Sequence, residues 1–178
     1  MNTNRLFLVL SLLLFALLVV AVRAEFARPW RGYQTGYYRA AARTTGAALA
    51  EPPSPRIMQD WIPQLDTTDR CRTCHAGVEN PEMWEAEPPY ATHPGDLLQY
   101  HPVEVFGCTV CHEGEGRGTT VEGAHGRLAR SQTPLLEGPF IEASCGKCHP
   151  DPELDGAPSL TRGKELYRGF FCSFCHRI

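Results

Sequence analysis

The sequence predicts a mainly α-helical and irregular fold, in which an N-terminal transmembrane helix precedes a loop-rich domain. Three observations support this prediction. An apolar run extends from Leu6 to Val22, 16 glycines and 15 prolines interrupt the chain, and eight cysteines fall into four pairs of identical spacing. Glycine and proline at this density favour loops over long regular elements. At 178 residues, the chain has the size of one ordinary domain or of two small ones with a linker.

The apolar run predicts a membrane anchor over residues 1–24. Ser11 is its one polar member, and Arg5 and Arg23 bound it. At 1.5 Å per residue it spans about 26 Å, the short end for a membrane helix. A cleaved secretory signal is the alternative, since residues 22–24 (Val-Arg-Ala) form a small-x-small cleavage pattern. The run is longer than the apolar region of most signals, so we expect the anchor to be retained.

Residues 25–56 form a juxtamembrane segment and a linker. Aromatic and arginine side chains alternate there, as is typical of the lipid headgroup zone. A solvated amphipathic helix is the alternative interpretation, and a helix from Arg31 towards Ala50 fits both. The proline-rich stretch from Glu51 to Arg56 marks the boundary with a third region, residues 57–178. The aromatic residues are Phe26, Trp30, Tyr33, Tyr37 and Tyr38, and the arginines are Arg28, Arg31, Arg39 and Arg43.

Charge divides sharply along the chain. Residues 1–50 carry +5, because six arginines face Glu25 alone, and residues 51–178 carry −8. An overall charge of −3 argues against a nucleic-acid partner. The basic part is suited to lipid phosphates in a bilayer or to an acidic partner. Five of its arginines follow the apolar run, which opposes the positive-inside rule for an exported domain.

The four cysteine pairs each end in a histidine. C-x-x-C-H is the attachment signature of c-type haem, in which two thioethers hold the porphyrin and the adjacent histidine is the proximal iron ligand. Zinc sites, redox couples and disulfides also use C-x-x-C, but they do not require a histidine after every pair. The motifs are Cys71, Cys74 and His75; Cys108, Cys111 and His112; Cys145, Cys148 and His149; and Cys172, Cys175 and His176.

Four covalent haem c groups in residues 57–178 imply that the haems themselves form much of the core. The motifs recur at intervals of 37, 37 and 27 residues, as in an array of one haem per short repeat. Each motif is expected on a short helical turn. The clearest longer helix is predicted from Leu160 to Phe170, leading into the fourth motif.

Three further histidines are the candidate distal iron ligands: His93, His101 and His125. Three spare histidines for four irons predict three bis-histidine haems. Any one of these histidines is alternatively a surface residue or a hydrogen-bond partner of a haem propionate. Met58 and Met83 are weaker candidates, since a thioether ligand raises the haem potential but methionine more often serves packing. The pairing of distal ligands with irons stays open.

The stretch from His101 through Cys108–His112 to His125 and Cys145–His149 resembles multihaem c-type cytochromes of bacterial membrane electron-transfer complexes, including those built around a dihaem cytochrome b. The likeness covers about Asp69 to His149. It implies that His93, His101 and His125 are distal ligands. It also implies that the chain relays electrons from a quinol-oxidising core to periplasmic acceptors.

The stretch from Gly163 to His176 resembles the first helix of a single-haem cytochrome c. The methionine ligand that follows in that family has no counterpart in this sequence. Three alternatives follow: the fourth haem takes its sixth ligand from elsewhere, this sequence is a piece of a longer chain, or the iron is left open. One anchor with four haems is also similar to the plan of the NapC/NrfH quinol dehydrogenases, although the motif intervals differ.

The leading hypothesis is therefore a non-catalytic electron-transfer subunit on the periplasmic side of a bacterial inner membrane. Its expected partners are a membrane-embedded cytochrome b or other quinone-site protein, periplasmic electron carriers and the lipid bilayer. The alternatives are a quinol dehydrogenase acting alone, a small-molecule reductase at an open iron, and a conducting filament.

Overall fold

A computed structural model describes residues 2–46, 53–150 and 154–176. These residues are mainly helical and irregular, as predicted. The helices are α1 (Thr3–Phe26), α2 (Pro29–Thr45), α3 (Leu97–Tyr100), α4 (Val103–Phe106), α5 (Thr109–His112), α6 (Val121–Ala124) and α7 (Pro158–Gly169). The strands β1 (Asp60–Ile62) and β2 (Thr67–Asp69) pair antiparallel. Short 3₁₀ segments occupy Pro63–Leu65, Cys71–Thr73, Pro81–Met83, Gly138–Lys147 and Cys172–Phe174.

Helix α1 is long and apolar enough to cross a membrane, with a mean hydropathy of 2.8 over its best window. The Asn2 side chain accepts a hydrogen bond from the Asn4 N–H and so caps its first turn. The large hydrophobic residues of α1 are exposed, so the helix contributes its apolar surface to no protein core. A retained anchor and a signal sequence share these properties, and the expected anchor over residues 1–24 lies almost wholly within this helix.

Helix α2 follows after a two-residue break at Ala27 and Arg28. Pro29 starts it, where a missing N–H costs nothing, and Gly46 ends it in the left-handed conformation at φ 65°. Trp30 and Ala41 are buried on one face, whereas the Arg31 guanidinium stacks over the Trp30 ring at 4.6 Å. The helix predicted from Arg31 towards Ala50 is confirmed as far as Thr45; residues 47–50 lie outside the described residues.

The chain divides into two compact units, one made of Met1–Ile57 and Arg72–Pro94 and the other of Met58–Cys71 and Gly95–Ile178. In the first unit, α2 packs against the 3₁₀ segment Pro81–Met83. Gly36 of α2 faces the Tyr90 ring, which stands where a β-carbon would lie. In this unit, α2 therefore packs against the residues that follow the first cysteine motif.

The second unit is built around the β1–β2 hairpin and the helical segments that follow it. Helix α4 packs against β1, α5 packs against Gly138–Lys147, and α7 packs against Gly138–Lys147 and Cys172–Phe174. Helix α7 confirms the helix predicted from Leu160 to Phe170, with bounds shifted by one or two residues. Ile62 and Val103 are almost completely buried in this unit. Its regular elements are short, so loops and turns carry most of the motif residues.

Candidate haem centres

The second, third and fourth motifs share one backbone turn. In each, the N–H groups of the second cysteine and of the histidine donate to the carbonyl oxygen of the first cysteine, at 3.2 and 2.9 Å. The first motif begins with the 3₁₀ turn Cys71–Thr73. The predicted short helical turns are therefore present. Such a turn places two sulfurs one turn apart with an imidazole beside them, which is what two thioethers and a proximal ligand require.

All eight cysteines lie within the described residues and are free thiols. Burial raises the pKa of the Cys74 thiol. Burial also raises the pKa of the Cys111 thiol, and the nearby Cys145 adds to this effect. These thiols are thus protonated at neutral pH and hold no negative charge of their own.

Asp69 connects the starts of the first two motifs. Its Oδ1 accepts the Cys71 N–H at 2.9 Å, and its Oδ2 accepts the Cys108 and Thr109 N–H groups at 2.8 and 2.9 Å. Burial alone raises the pKa of this carboxyl, but hydrogen bonds from Cys71, Thr109 and Cys108 outweigh it and hold the pKa below the ordinary value. The carboxylate is therefore charged at neutral pH.

Asp69, Cys71 and Cys108 each place a donor atom within 4.8 Å of the other two, which admits a small metal site on spacing alone. Both carboxylate oxygens already accept main-chain N–H groups, and the two sulfurs belong to C-x-x-C-H turns. The cluster therefore fits a structural junction better than a zinc site.

Lys147 connects the second and third motifs. It occupies the position before Cys148, and its Nζ donates to the Val110 carbonyl at 3.2 Å and to the Glu113 carboxylate. Val110 lies between the two cysteines of the second motif. The Lys147 ammonium thus links two residues that lie between the cysteines of their motifs, Lys147 itself and Val110. Helix α5 and Gly138–Lys147 pack together at this contact.

Glu142 connects the third motif to the helix before the fourth. Its carboxylate accepts the Ser159 and Leu160 N–H groups at 2.5 and 3.1 Å, and the Ser159 hydroxyl at 3.0 Å. An acidic group suits the N-terminus of α7, where unpaired N–H groups concentrate positive charge. Further along α7, Lys164 Nζ donates to the His149 carbonyl at 3.4 Å.

The His101 and His149 imidazoles lie together, with ring centres 6.1 Å apart and planes inclined by 75°. Two imidazoles that bind one iron from opposite sides have ring centres about 6 Å apart, because a metal–nitrogen bond is about 2 Å long and each ring centre lies about 1 Å behind its nitrogen. The His101 Nδ1 lies 3.2 Å from the Leu97 carbonyl oxygen. A carbonyl only accepts, so Nδ1 is the donor in this contact. A metal-binding histidine commonly donates its other ring N–H to a carbonyl in this way.

The other two candidate histidines are half-buried. His93 Nδ1 donates to the Pro94 carbonyl at 2.9 Å. His125 follows α6, and its main-chain groups bond to Val121 and Leu135. Their roles as distal ligands stay predictions. Of the two methionines, Met83 is fully buried and Met58 is half-buried, and their weak candidacy also stays a prediction.

Few hydrophobic side chains of the described chain are buried, as expected if haem supplies part of the apolar core. Large aromatic side chains near the motifs stay exposed instead: Phe170, Phe171 and Phe174 are 75%, 67% and 83% accessible. A porphyrin is a large apolar disc, so it would cover surface of this kind. The buried hydrophobic residues are Trp30, Ala41, Ile62, Met83, Val103 and Ala157.

Sequence reasoning missed the polar residues that join the motifs: Gln34, Asp69, Glu142 and Lys147. Only Asp69 had a local signal, because an aspartate two residues before a helical turn is a common N-cap. Its contact with the Cys108 N–H joins residues that are 39 positions apart in the chain, and no local sequence pattern predicts such a contact.

Comparison with protein-family models, with curated proteins and with solved structures finds no match to this chain. The function of the chain is therefore inferred from its motifs and from the geometry around them.

Proposed function

We propose that this chain is a membrane-anchored tetrahaem cytochrome c, which relays electrons between a quinol-oxidising membrane complex and periplasmic acceptors. The observation that carries the proposal is the C-x-x-C-H turn, repeated in three motifs with the same hydrogen bonds and present as a fourth sequence motif. When bound, each haem supplies an iron that alternates between ferric and ferrous and so carries one electron.

The residues of the chain have three roles in this function. The cysteines Cys71, Cys74, Cys108, Cys111, Cys145, Cys148, Cys172 and Cys175 hold the haems, and His75, His112, His149 and His176 are the proximal ligands. His101 would be the distal ligand of the haem that the third motif holds, whose proximal ligand would be His149. Asp69, Lys147 and Glu142 keep successive motifs next to one another, which is the condition for electrons to pass along the chain without a diffusing carrier.

Helix α2 supports a place for the first motif near the bilayer. Gln34 is 3% exposed, and its Nε2 donates to the Thr73 carbonyl within the first motif at 3.0 Å. Gln34 follows the end of α1 by eight residues, two of them in the break, so it lies no more than about 16 Å beyond that end. With α1 in a membrane, the first motif would lie close to the lipid headgroups, within reach of a membrane-embedded partner.

The mass of the intact protein, purified from native membranes, tests the cofactor. We expect four covalent haems on a chain that retains α1. A chain with zinc or without covalent haem would overturn the proposal. Loss of residues 1–24 from a haem-loaded protein would leave the haem assignment in place and replace the anchor by a cleaved signal.

Co-purification in mild detergent tests the role. We expect a cytochrome b or another quinone-site subunit at fixed ratio. If the chain is isolated alone and a quinol analogue reduces its haems directly, the proposed relay fails and a quinol dehydrogenase takes its place.

A small-molecule reductase is the second candidate, because three spare histidines cannot supply four distal ligands. A high-spin haem that binds added ligands would support it. A fully low-spin spectrum would exclude it.

A further inference from the structure

The Asp69 carboxylate holds together two motifs that are distant in sequence. Asp69 is 1% exposed, and its two oxygens accept three main-chain N–H groups from Cys71, Cys108 and Thr109 at 2.8 to 2.9 Å. Hydrogen bonds to a charged acceptor are about twice as strong as neutral ones. Removing the carboxylate would leave three N–H groups without their acceptor, so the contact between the motifs depends on this side chain.

The surrounding backbone is shaped to admit this contact. Asp69 ends β2, opposite Asp60 of β1, and the next residue, Arg70, donates its N–H to the Gly116 carbonyl at 2.8 Å. Gly107, just before Cys108, has φ +68°, and a β-carbon there would lie 3.2 Å from Asp69 Oδ2. Glycine thus permits both the left-handed backbone and the close approach.

The contact brings two attachment atoms together. The Sγ atoms of Cys71 and Cys108 and a carboxylate oxygen of Asp69 all lie within 4.8 Å of one another. Each sulfur belongs to the first cysteine of its motif. In the proposed function, each would carry a thioether to a different haem.

We propose that Asp69 is a positioning residue for the first and second haems, which it holds as one coupled pair at a shared attachment point. The inference rests on the proposed tetrahaem function. The described hydrogen-bond partners of Asp69 are three main-chain N–H groups and the Cys71 thiol. None of these is a cation, so no described ion pair cancels the negative charge of Asp69. A buried negative charge favours the ferric form of a nearby haem, so Asp69 lowers the potentials of this pair.

Asp69→Asn in the full-length haem-loaded protein tests the charge. Potentiometric titration should show two of the four haems shifted to higher potential, because asparagine removes the negative charge while keeping the size of the side chain. Soret circular dichroism should lose part of the bisignate signal that closely spaced haems give. Asp66→Asn is the matched control, since Asp66 is exposed and left-handed at φ 47°, a conformation that asparagine tolerates. It should leave both measurements unchanged.

Asp69→Ala, with peptide mapping of haem attachment, covers the case of a disturbed fold. We expect haem loss confined to the motifs at Cys71 and Cys108. Equal loss from all four motifs would overturn the inference, because it indicates general unfolding. An Asp69→Asn protein with four haems and unchanged potentials and dichroism would overturn it as well. If the unaltered chain carries no covalent haem, the proposed function itself fails, which the intact mass reports separately.

Discussion

At the residue scale, His101 gives the sharpest test of iron ligation. It lies 6.1 Å from His149, centre to centre, with its Nδ1 proton directed to the Leu97 carbonyl. His101→Ala should therefore turn one low-spin haem, the one held by the third motif, into a high-spin or ligand-binding haem. Electron paramagnetic resonance and optical spectra of the purified variant measure this change.

Tyr100→Ala is the control for His101→Ala, because Tyr100 is adjacent and 70% exposed. It should leave all four haems as in the unaltered protein. If His101→Ala also keeps its full low-spin signal, the imidazole pair is an ordinary ring contact. His101 then has no role as a ligand of the third iron.

The Asp69 carboxyl also predicts a pH dependence of stability. Its folded-state pKa lies below the ordinary value of 3.8, so its deprotonated form stabilises the fold. This contribution is complete above the unfolded pKa and disappears as the pH falls from about 4 through the lower folded pKa. The melting temperature of the unaltered protein should exceed that of Asp69→Asn at pH 7, and the difference should shrink below about pH 4. A constant difference down to pH 2 would contradict this account.

At the element scale, Gln34 holds α2 against the first motif. Its amide donates to the Arg56 and Thr73 carbonyls at 2.6 and 3.0 Å and accepts the Arg56 N–H at 3.0 Å. Gln34→Ala would leave the buried Thr73 carbonyl without its partner, at about 1–3 kcal/mol, and would also remove the two part-buried bonds to Arg56, whose groups water can partly satisfy. We expect a loss of about 2–4 kcal/mol in the local stability of α2, measured as faster amide hydrogen exchange over residues 29–45.

Gln64→Ala is the matched control for this change, since Gln64 is exposed in a 3₁₀ turn. Its amide exchange over α2 should equal that of the unaltered protein. Unchanged exchange in Gln34→Ala would mean that apolar packing, through Trp30 and Ala41, holds α2 without the amide.

The same elements show what local sequence patterns can predict. The apolar run predicted α1, helical spacing predicted α7, and the C-x-x-C-H motifs predicted their own turns, because each of these depends on neighbouring residues. The contact of His101 with His149 and the two-motif role of Asp69 join residues that are distant in sequence. Their partners are chosen by the packing of the folded chain, so no periodicity reveals them. The role of Gln34 escaped for the same reason, since an isolated glutamine on an amphipathic helix resembles a solvated residue.

At the scale of the whole molecule, the exposed apolar surface separates into two kinds. Along α1 it forms a continuous cylinder without buried residues, which is the surface that a bilayer covers. Beyond α2 it is made of separate side chains or small groups, and the most exposed are aromatic, such as Trp84 and Phe174, 70% and 83% exposed. Covering the first kind requires lipid, and covering the second kind requires haem or a partner. Removing detergent should therefore expose the apolar surface of α1 to water, whereas removing haem should expose the apolar side chains near the motifs.

Loss of haem should abolish cooperative folding of the part beyond α2. Few apolar side chains of the described chain are buried, so their burial cannot offset the conformational entropy of ordering so many loop residues. A variant with all eight cysteines changed to alanine, purified in the same detergent, should keep the helical circular dichroism of α1 but show no sharp thermal transition. The haem-loaded chain is the control and should unfold cooperatively. A sharp transition in the variant would mean that the polypeptide forms its own core. Haem would then bind to a domain that folds without it.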